Sequence, residues 1–176
     1  MAGEVYDGGA GFDTLSIDPY QSVPGSIVDL SGSTIAGIEH LAGSFGFATR
    51  VNAAQLQGLQ RLSGWFLIAD ASPVILTGMT LSGATIQLGN AGQTFDSTGT
   101  STFINATIRG GSGNDTMTAG DYLQALYGGA GNDVLTAAAN GGQLYGEAGD
   151  DRLVFQSGGV AWGGEGFDTL VANGAV

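Results

Sequence analysis

The sequence predicts an all-β fold, a right-handed parallel β-helix or β-roll solenoid in which irregular, metal-free coils are followed by coils that hold cations. Three observations lead there. Four glycine-rich hexads ending in aspartate recur in the last third of the 176-residue chain. They read Gly110-Gly111-Ser112-Gly113-Asn114-Asp115, Gly128-Gly129-Ala130-Gly131-Asn132-Asp133, Gly146-Glu147-Ala148-Gly149-Asp150-Asp151 and Gly163-Gly164-Glu165-Gly166-Phe167-Asp168, with first positions 18, 18 and 17 residues apart. An apolar residue stands two places after each closing Asp, at Met117, Leu135, Leu153 and Leu170. Each period also splits into halves with one such residue apiece. Met117 to Leu126 and Leu135 to Leu144 are nine positions, whereas Leu153 to Ala161 is eight, which accounts for the shorter last period. Repeats of fixed length that cannot bury their apolar face alone do so by stacking, which makes a solenoid.

The hexads suit calcium. Ca²⁺ takes about six to eight oxygen ligands, from carboxylates and backbone carbonyls alike, and a glycine-rich turn can present its carbonyls in conformations that other residues resist. One turn has too few oxygens. If the repeat is one full coil, however, successive turns lie about 4.8 Å apart, and an ion between two turns collects ligands from both. Asn114 and Asn132 fit turns of this kind as residues that tolerate a left-handed backbone.

The same register predicts two columns on one strand. Ile108, Leu126, Leu144 and Ala161 point inward, and Arg109, Tyr127, Tyr145 and Trp162 point outward beside them. Stacking that stiffens the outer face is the first reading of those aromatics, and a ligand platform is the second. The second half of each coil offers Ala119-Gly120-Asp121, Ala137-Ala138-Ala139-Asn140-Gly141 or Gln156-Ser157-Gly158-Gly159 in place of a hexad, so the ions are expected in a single row along one side.

With their following residues, the hexads resemble the RTX (repeats-in-toxin) nonapeptide of the haemolysin-type calcium-binding family, Gly-Gly-x-Gly-x-Asp-x-apolar-x. The resemblance covers residues 108–172, with one isolated copy at Gly8-Gly9-Ala10-Gly11-Phe12-Asp13-Thr14-Leu15. It implies about three Ca²⁺ between residues 110 and 168, each held by positions two, four and six of one turn and one, three and six of the turn a coil later. The implied ligands are Gly111, Gly113 and Asp115 with Gly128, Ala130 and Asp133; then Gly129, Gly131 and Asp133 with Gly146, Ala148 and Asp151. A third set is Glu147, Gly149 and Asp151 with Gly163, Glu165 and Asp168, where Glu147 replaces a glycine and threatens backbone strain. Gly9, Gly11 and Asp13 form a weaker candidate. No acidic turn stands 18 residues beyond them, so this hexad reads as a half-site unless Asp29 substitutes or another module supplies the partner turn.

Composition narrows the classes of function. Sixteen acidic residues against four arginines (Arg50, Arg61, Arg109 and Arg152) and no lysine give a formal charge of −12, which disfavours nucleic acid as a partner. Three Ca²⁺ would offset half of that charge. Thirty-three glycines beside 43% hydrophobic residues indicate many turns rather than disorder. There are no cysteines, so metal rather than disulfides is expected to stabilise an extracellular fold. No apolar run approaches the ~20 residues of a membrane span, and neither a signal peptide nor a C-terminal secretion signal is recognisable.

Residues 1–176 are expected to form a single solenoid domain: an isolated half-turn over 1–15, metal-free coils over 16–107, and calcium coils over 108–172. Weaker repeats in the middle begin at Leu30, Val51, Leu76 and Phe95, 21, 25 and 19 residues apart, and predict four or five coils; a separate small β domain is the alternative. One helical turn fits residues 53–59. The opening Met1-Ala2-Gly3 and the match of residues 8–15 to 163–170 at an offset of 155 predict a piece of a longer solenoid, whose ends could associate head to tail or meet neighbouring modules.

Catalysis is not expected. The lone His40 alternates outward, and no nucleophile elbow or HExxH is present. Asp18-Pro19 reads as a turn rather than a cleavage site. The expected role is a calcium-dependent structural module of a secreted or cell-surface RTX protein of a Gram-negative bacterium, of adhesin or surface-layer type, exported unfolded by type I secretion. Alternatives are the C-terminal module of a secreted hydrolase and a carbohydrate-binding face at Tyr127, Tyr145 and Trp162.

Overall fold

The computed structural model describes residues 3–17, 26–44, 46–156 and 158–173. Its short strands pair in parallel and wind into a β-solenoid of about eight turns, essentially without helix. The longest sheet has eight strands, from Ile27–Asp29 through Ala48–Val51, Trp65–Ile68, Thr85–Gln87, Ala106–Arg109, Gln124–Ala130 and Gln143–Ala148 to Val160–Glu165. A six-stranded sheet runs from Val74–Ile75 to Thr169–Ala172, and a five-stranded sheet from Thr14–Ser16 to Ser101–Ile104. Val5–Asp7 pairs with Thr34–Ala36 in a small sheet of its own.

Alternation along these strands sends one residue per coil inward, and the inward residues stack into columns. In the eight-stranded sheet Phe66, Ile86, Ile108, Leu126 and Leu144 follow one another in register, all fully buried. The six-stranded sheet contributes Val74, Phe95, Met117, Leu135 and Leu153, and the five-stranded one Leu41, Leu62 and Leu81. As far as Leu153 both halves of the calcium coils therefore carry the inward residues expected of them, whereas Leu170, in register with Leu153 on the last strand, is half-exposed.

The number of walls changes along the axis. Phe95 pairs with Met117, 22 positions on, but Met117 pairs with Leu135, only 18 positions on. An 18-residue coil has room for two strands and two turns, so the five-stranded sheet stops at Ser101–Ile104 and a three-walled helix becomes a two-walled roll. A buried amide fills the step. Gln124 Oε1 accepts from Ser97 Oγ at 2.7 Å and from the Gly120 amide at 3.2 Å, and its Nε2 donates to Thr100 Oγ1 at 2.7 Å. Each end of the side chain is thus partnered, as burial requires.

The spacing of the middle repeats was misjudged in one place. Val51 stacks on Ile68, 17 positions on, whereas Leu76 follows the strand Val74–Ile75 of a different sheet. Leu and Val recur on every wall, and sequence alone does not say which wall. The helical turn is a 3-10 segment at Ala53–Leu56. Asp18 and Pro19 lie outside the described residues.

Candidate metal centre

The four hexads stack at one corner of the roll. Gly129 pairs with Glu147, and Ala130 with Ala148; Glu147 pairs in turn with Gly164, and Ala148 with Glu165. Two side-chain ladders run through this corner in opposite directions. At position six the aspartate of the later coil reaches back: Asp133 Oδ1 accepts from the Asp115 amide at 2.7 Å, Asp151 Oδ1 from Asp133 at 2.8 Å and Asp168 Oδ1 from Asp151 at 3.0 Å. At position five the earlier residue reaches forward, with Asn114 Oδ1 accepting from the Asn132 amide at 2.9 Å, Asn132 from Asp150 at 3.0 Å and Asp150 from Phe167 at 2.8 Å. The asparagines are therefore rungs. They are not left-handed turn residues as expected from sequence, since Glu147 is the one non-glycine at positive φ among the described residues.

The position-six ladder uses only half of each carboxylate. Oδ2 of Asp133 and of Asp151 is buried and accepts no hydrogen bond, an arrangement that normally costs several kcal/mol for an ionised group. The first glycine of each hexad makes room for it. A side chain on Gly128 would overlap Asp133 Oδ2, and one on Gly146 would overlap both Asp151 Oδ2 and the Gly163 carbonyl. Asp133 Oδ2 and the Gly146 carbonyl oxygen thus line one small space, as do Asp151 Oδ2 and the Gly163 carbonyl. In each the two nearest atoms are oxygens, a donor type that suits a hard cation. Among the described residues no three His, Cys, Asp or Glu side chains cluster as a metal site, as expected where backbone carbonyls supply most of the ligands.

Two hexads depart from the common form. Glu147 holds φ at +77°, where its counterparts Gly129 and Gly164 sit at +108° and +123°. A non-glycine residue there costs roughly 1–3 kcal/mol. Glu147→Gly is therefore expected to raise stability in calcium by roughly 1 kcal/mol, checked by denaturant titration; no gain would place the compensation elsewhere in the turn. In the first hexad Gly111 and Gly113 lie outside the left-handed region, and Asp115 Oδ2 accepts from the Gly111 amide at 2.9 Å. That aspartate is satisfied from within the protein.

Below the first hexad the corner is closed by amides, a feature that sequence reasoning missed. Gln93 is buried and its backbone amide donates to Asp115 Oδ1 at 2.6 Å, ending the aspartate ladder. Its Nε2 donates to the carbonyls of Asp70 and Ser72, both at 3.0 Å, and the Gln87 amide donates to the Gly110 carbonyl. One coil system lower, Gln55 Nε2 donates to the carbonyls of Leu30 and Ser33 at 2.7 Å. Glutamine N–H groups here do for corner carbonyls what a cation could do. The run Gly89-Asn90-Ala91-Gly92-Gln93, a hexad one residue short and followed by Phe95, was the available signal.

Electrostatics make the roll self-repelling without metal. Burial pushes the Asp133 carboxyl up to about 6, and the charges of Asp115, Asp151 and Glu147 push it the same way. Asp151 is raised too, first by burial and then by Asp168 and Asp150. A carboxyl raised in the fold stabilises it below its ordinary value of 3.8, and that contribution is lost as pH rises through about 6. Calcium-free protein is thus expected to melt at higher temperature near pH 5 than near pH 7.5, a flat profile being the contrary result.

Tyr127 stacks on Tyr145 with centroids 4.4 Å apart, and Tyr145 on Trp162 at 4.6 Å, while the Arg109 guanidinium lies 4.2 Å over Tyr127. The faces between these rings are covered, as expected of a stiffening stack, while Trp162 at the end of the column is half-exposed. His40 is half-buried, contrary to the solvated position expected, and its Nε2 lies 3.0 Å from Ser63 Oγ. Burial lowers its pKa, as does Arg61 in the next coil. No helix among the described residues is long and apolar enough to cross a membrane.

The isolated hexad at residues 8–13 is also not as expected. Asp29 is not its partner; that carboxylate accepts from Ser31 and lies 3.8 Å from Arg50. The residue facing Asp13 is Glu39, whose Oε2 accepts from the Asp13 amide at 2.9 Å.

A profile of the RTX calcium-binding nonapeptide repeat matches in four copies over residues 105–121 and 127–159. No curated protein and no solved structure matches the chain. The repeat, the parallel roll and the turn geometry agree over these residues, where the coils are similar to the RTX calcium-binding nonapeptide repeat.

Proposed function

We propose that the chain is one solenoid domain serving as a calcium-folded structural module of a secreted or cell-surface protein of a Gram-negative bacterium, of adhesin or surface-layer type, without catalysis of its own. Three Ca²⁺ lie in a row between the hexads, held by the carbonyls of Gly111, Gly113, Gly128, Gly129, Ala130, Gly131, Gly146, Glu147, Ala148, Gly149, Gly163 and Glu165 with the carboxylates of Asp115, Asp133, Asp151 and Asp168. The observation that carries this reading is the pair of buried, unpartnered Oδ2 atoms on Asp133 and Asp151. Where calcium is scarce, as in a cytosol, these charges oppose folding; where it is abundant they draw the coils together, because binding free energy is then folding free energy. Limited proteolysis across a calcium series tests this. Residues 110–172 are expected to be cut below micromolar calcium and resistant at millimolar, and equal resistance at both ends of the series would contradict the reading.

A further inference from the structure

The turn at residues 8–13 lies far from the matched repeats, yet it has the features of a closed calcium site, and the residue that closes it is not part of any hexad. Gly9 and Gly11 hold φ at +85° and +132°, in the range of Gly129 and Gly131 at +108° and +120°. One coil later the chain passes through Gly37, Ile38 and Glu39 before entering the strand His40–Ala42. The amide of His40 donates to the Asp13 carbonyl at 3.1 Å, as the amide of Val134 donates to the Asp115 carbonyl at 2.8 Å. Glu39 therefore occupies the place of Asp133, and Asp13 that of Asp115.

The side chains agree with that alignment. The Asp13 amide donates to Glu39 Oε2 at 2.9 Å, the counterpart of the 2.7 Å bond from the Asp115 amide to Asp133 Oδ1. A side chain on Gly8 would overlap the Gly37 carbonyl and the Asp13 carboxyl group, as one on Gly128 would overlap the Gly146 carbonyl and Asp133 Oδ2. The later turn is three residues shorter than a hexad, and the extra methylene of glutamate lets Glu39 span what an aspartate would not. An independent observation points to a ligand: Asp13 Oδ2 is shielded from solvent and has no hydrogen-bond partner, a state it shares with Asp133 and Asp151.

We propose that residues 8–13 and 37–39 form a calcium site of their own, outside the row, with Asp13 and Glu39 as its charged ligands and the carbonyls of Gly9, Gly11 and Gly37 beside them. Five protein oxygens and water complete a coordination shell of the size Ca²⁺ takes. No second module is needed to complete the hexad. The site ties the first turn to the second coil, where Val5–Asp7 and Thr34–Ala36 otherwise form a two-stranded sheet, a unit that is marginal alone.

The proposal rests on calcium being the ion of the row, and the experiment separates the two. Calcium is titrated calorimetrically into the full chain and into three variants: Asp13→Asn, Glu39→Gln, and Asp133→Asn with Asp151→Asn. The first two are each expected to bind one ion fewer than the parent with the row intact. The double variant is expected to lose ions of the row and keep the one at Asp13. Undiminished calcium in both Asp13→Asn and Glu39→Gln overturns the proposal, whereas a parent that binds no calcium overturns the reading of the row itself. Hydrogen exchange on the unmodified chain guards against a misfolded variant. Amides of residues 9–13 and 37–40 are expected to gain protection on calcium addition, and protection confined to residues 110–172 overturns the site.

Discussion

Chelation of calcium is expected to melt residues 110–172 while residues 48–104 keep their strands. The two halves differ in what opposes unfolding. In the three-walled coils Leu56, Leu62, Phe66, Val74, Leu76, Leu81, Ile86 and Phe95 are almost fully buried, and the corner carbonyls are held by the Gln93 and Gln55 amides. In the roll the core is a narrow column led by Met117, Leu126, Leu135, Leu144 and Leu153, glycine is frequent, and ordering glycine costs more backbone entropy than ordering any other residue. The column of Asp115, Asp133, Asp151 and Asp168 adds like-charge repulsion, which metal converts to attraction. Hydrogen exchange followed by mass spectrometry resolves the halves. Amides such as those of Asp133 and Asp151, hydrogen bonded in the fold, are expected to exchange fast in chelator. Uniform loss over both halves would mean that the solenoid melts as one unit, and no loss that metal is incidental.

The second large effect is at Asp133. Its Oδ1 reaches the coil before it and its Oδ2 lies with the Gly146 carbonyl of the coil after it, so one side chain faces two gaps. Asp168 accepts from the Asp151 amide and is half-buried. Asp133→Ala is expected to remove two ions and Asp168→Ala one. Each change also leaves an amide without its acceptor, that of Asp115 or that of Asp151, at about 1–3 kcal/mol, so the ion count and not this cost separates the two. Asp133→Asn separates charge from geometry. It keeps an acceptor for the Asp115 amide and removes the repulsion, so in chelator it is expected to be more stable than the parent, and in calcium less. Equal ion loss from the two alanine variants, counted by calorimetry, would contradict a shared ligand.

The roll was legible in the sequence because its period is constant. A spacing of 18 puts Ile108 under Leu126 and Met117 under Leu135 with no other information, and the outer stack of Arg109, Tyr127, Tyr145 and Trp162 follows from alternation. The third wall was not legible. Coils such as Val51 to Ile68 and Phe95 to Met117 differ by five residues in length, and where turn lengths drift, apolar residues no longer identify their sheet. The ligand geometry was half visible: the hexads name Asp133 and Asp151, but Glu39 stands in a turn too short to read as a repeat. Asn114 and Asn132 were credited with backbone tolerance when their side chains carry a ladder, a role that depends on the neighbour 18 residues away. Gln93 was overlooked because an amide that stands in for a cation leaves no acidic signature.

The most direct measurement is the anomalous scattering of a crystal grown in calcium. The expected result is three peaks in one row at the corner formed by residues 110–115, 128–133, 146–151 and 163–168, spaced by about 4.8 Å, the separation of stacked strands. Each peak should lie between two successive turns, with an aspartate oxygen from both. Absence of density between these turns, or ions at the opposite corner near Asp121 and Asn140, would contradict the account.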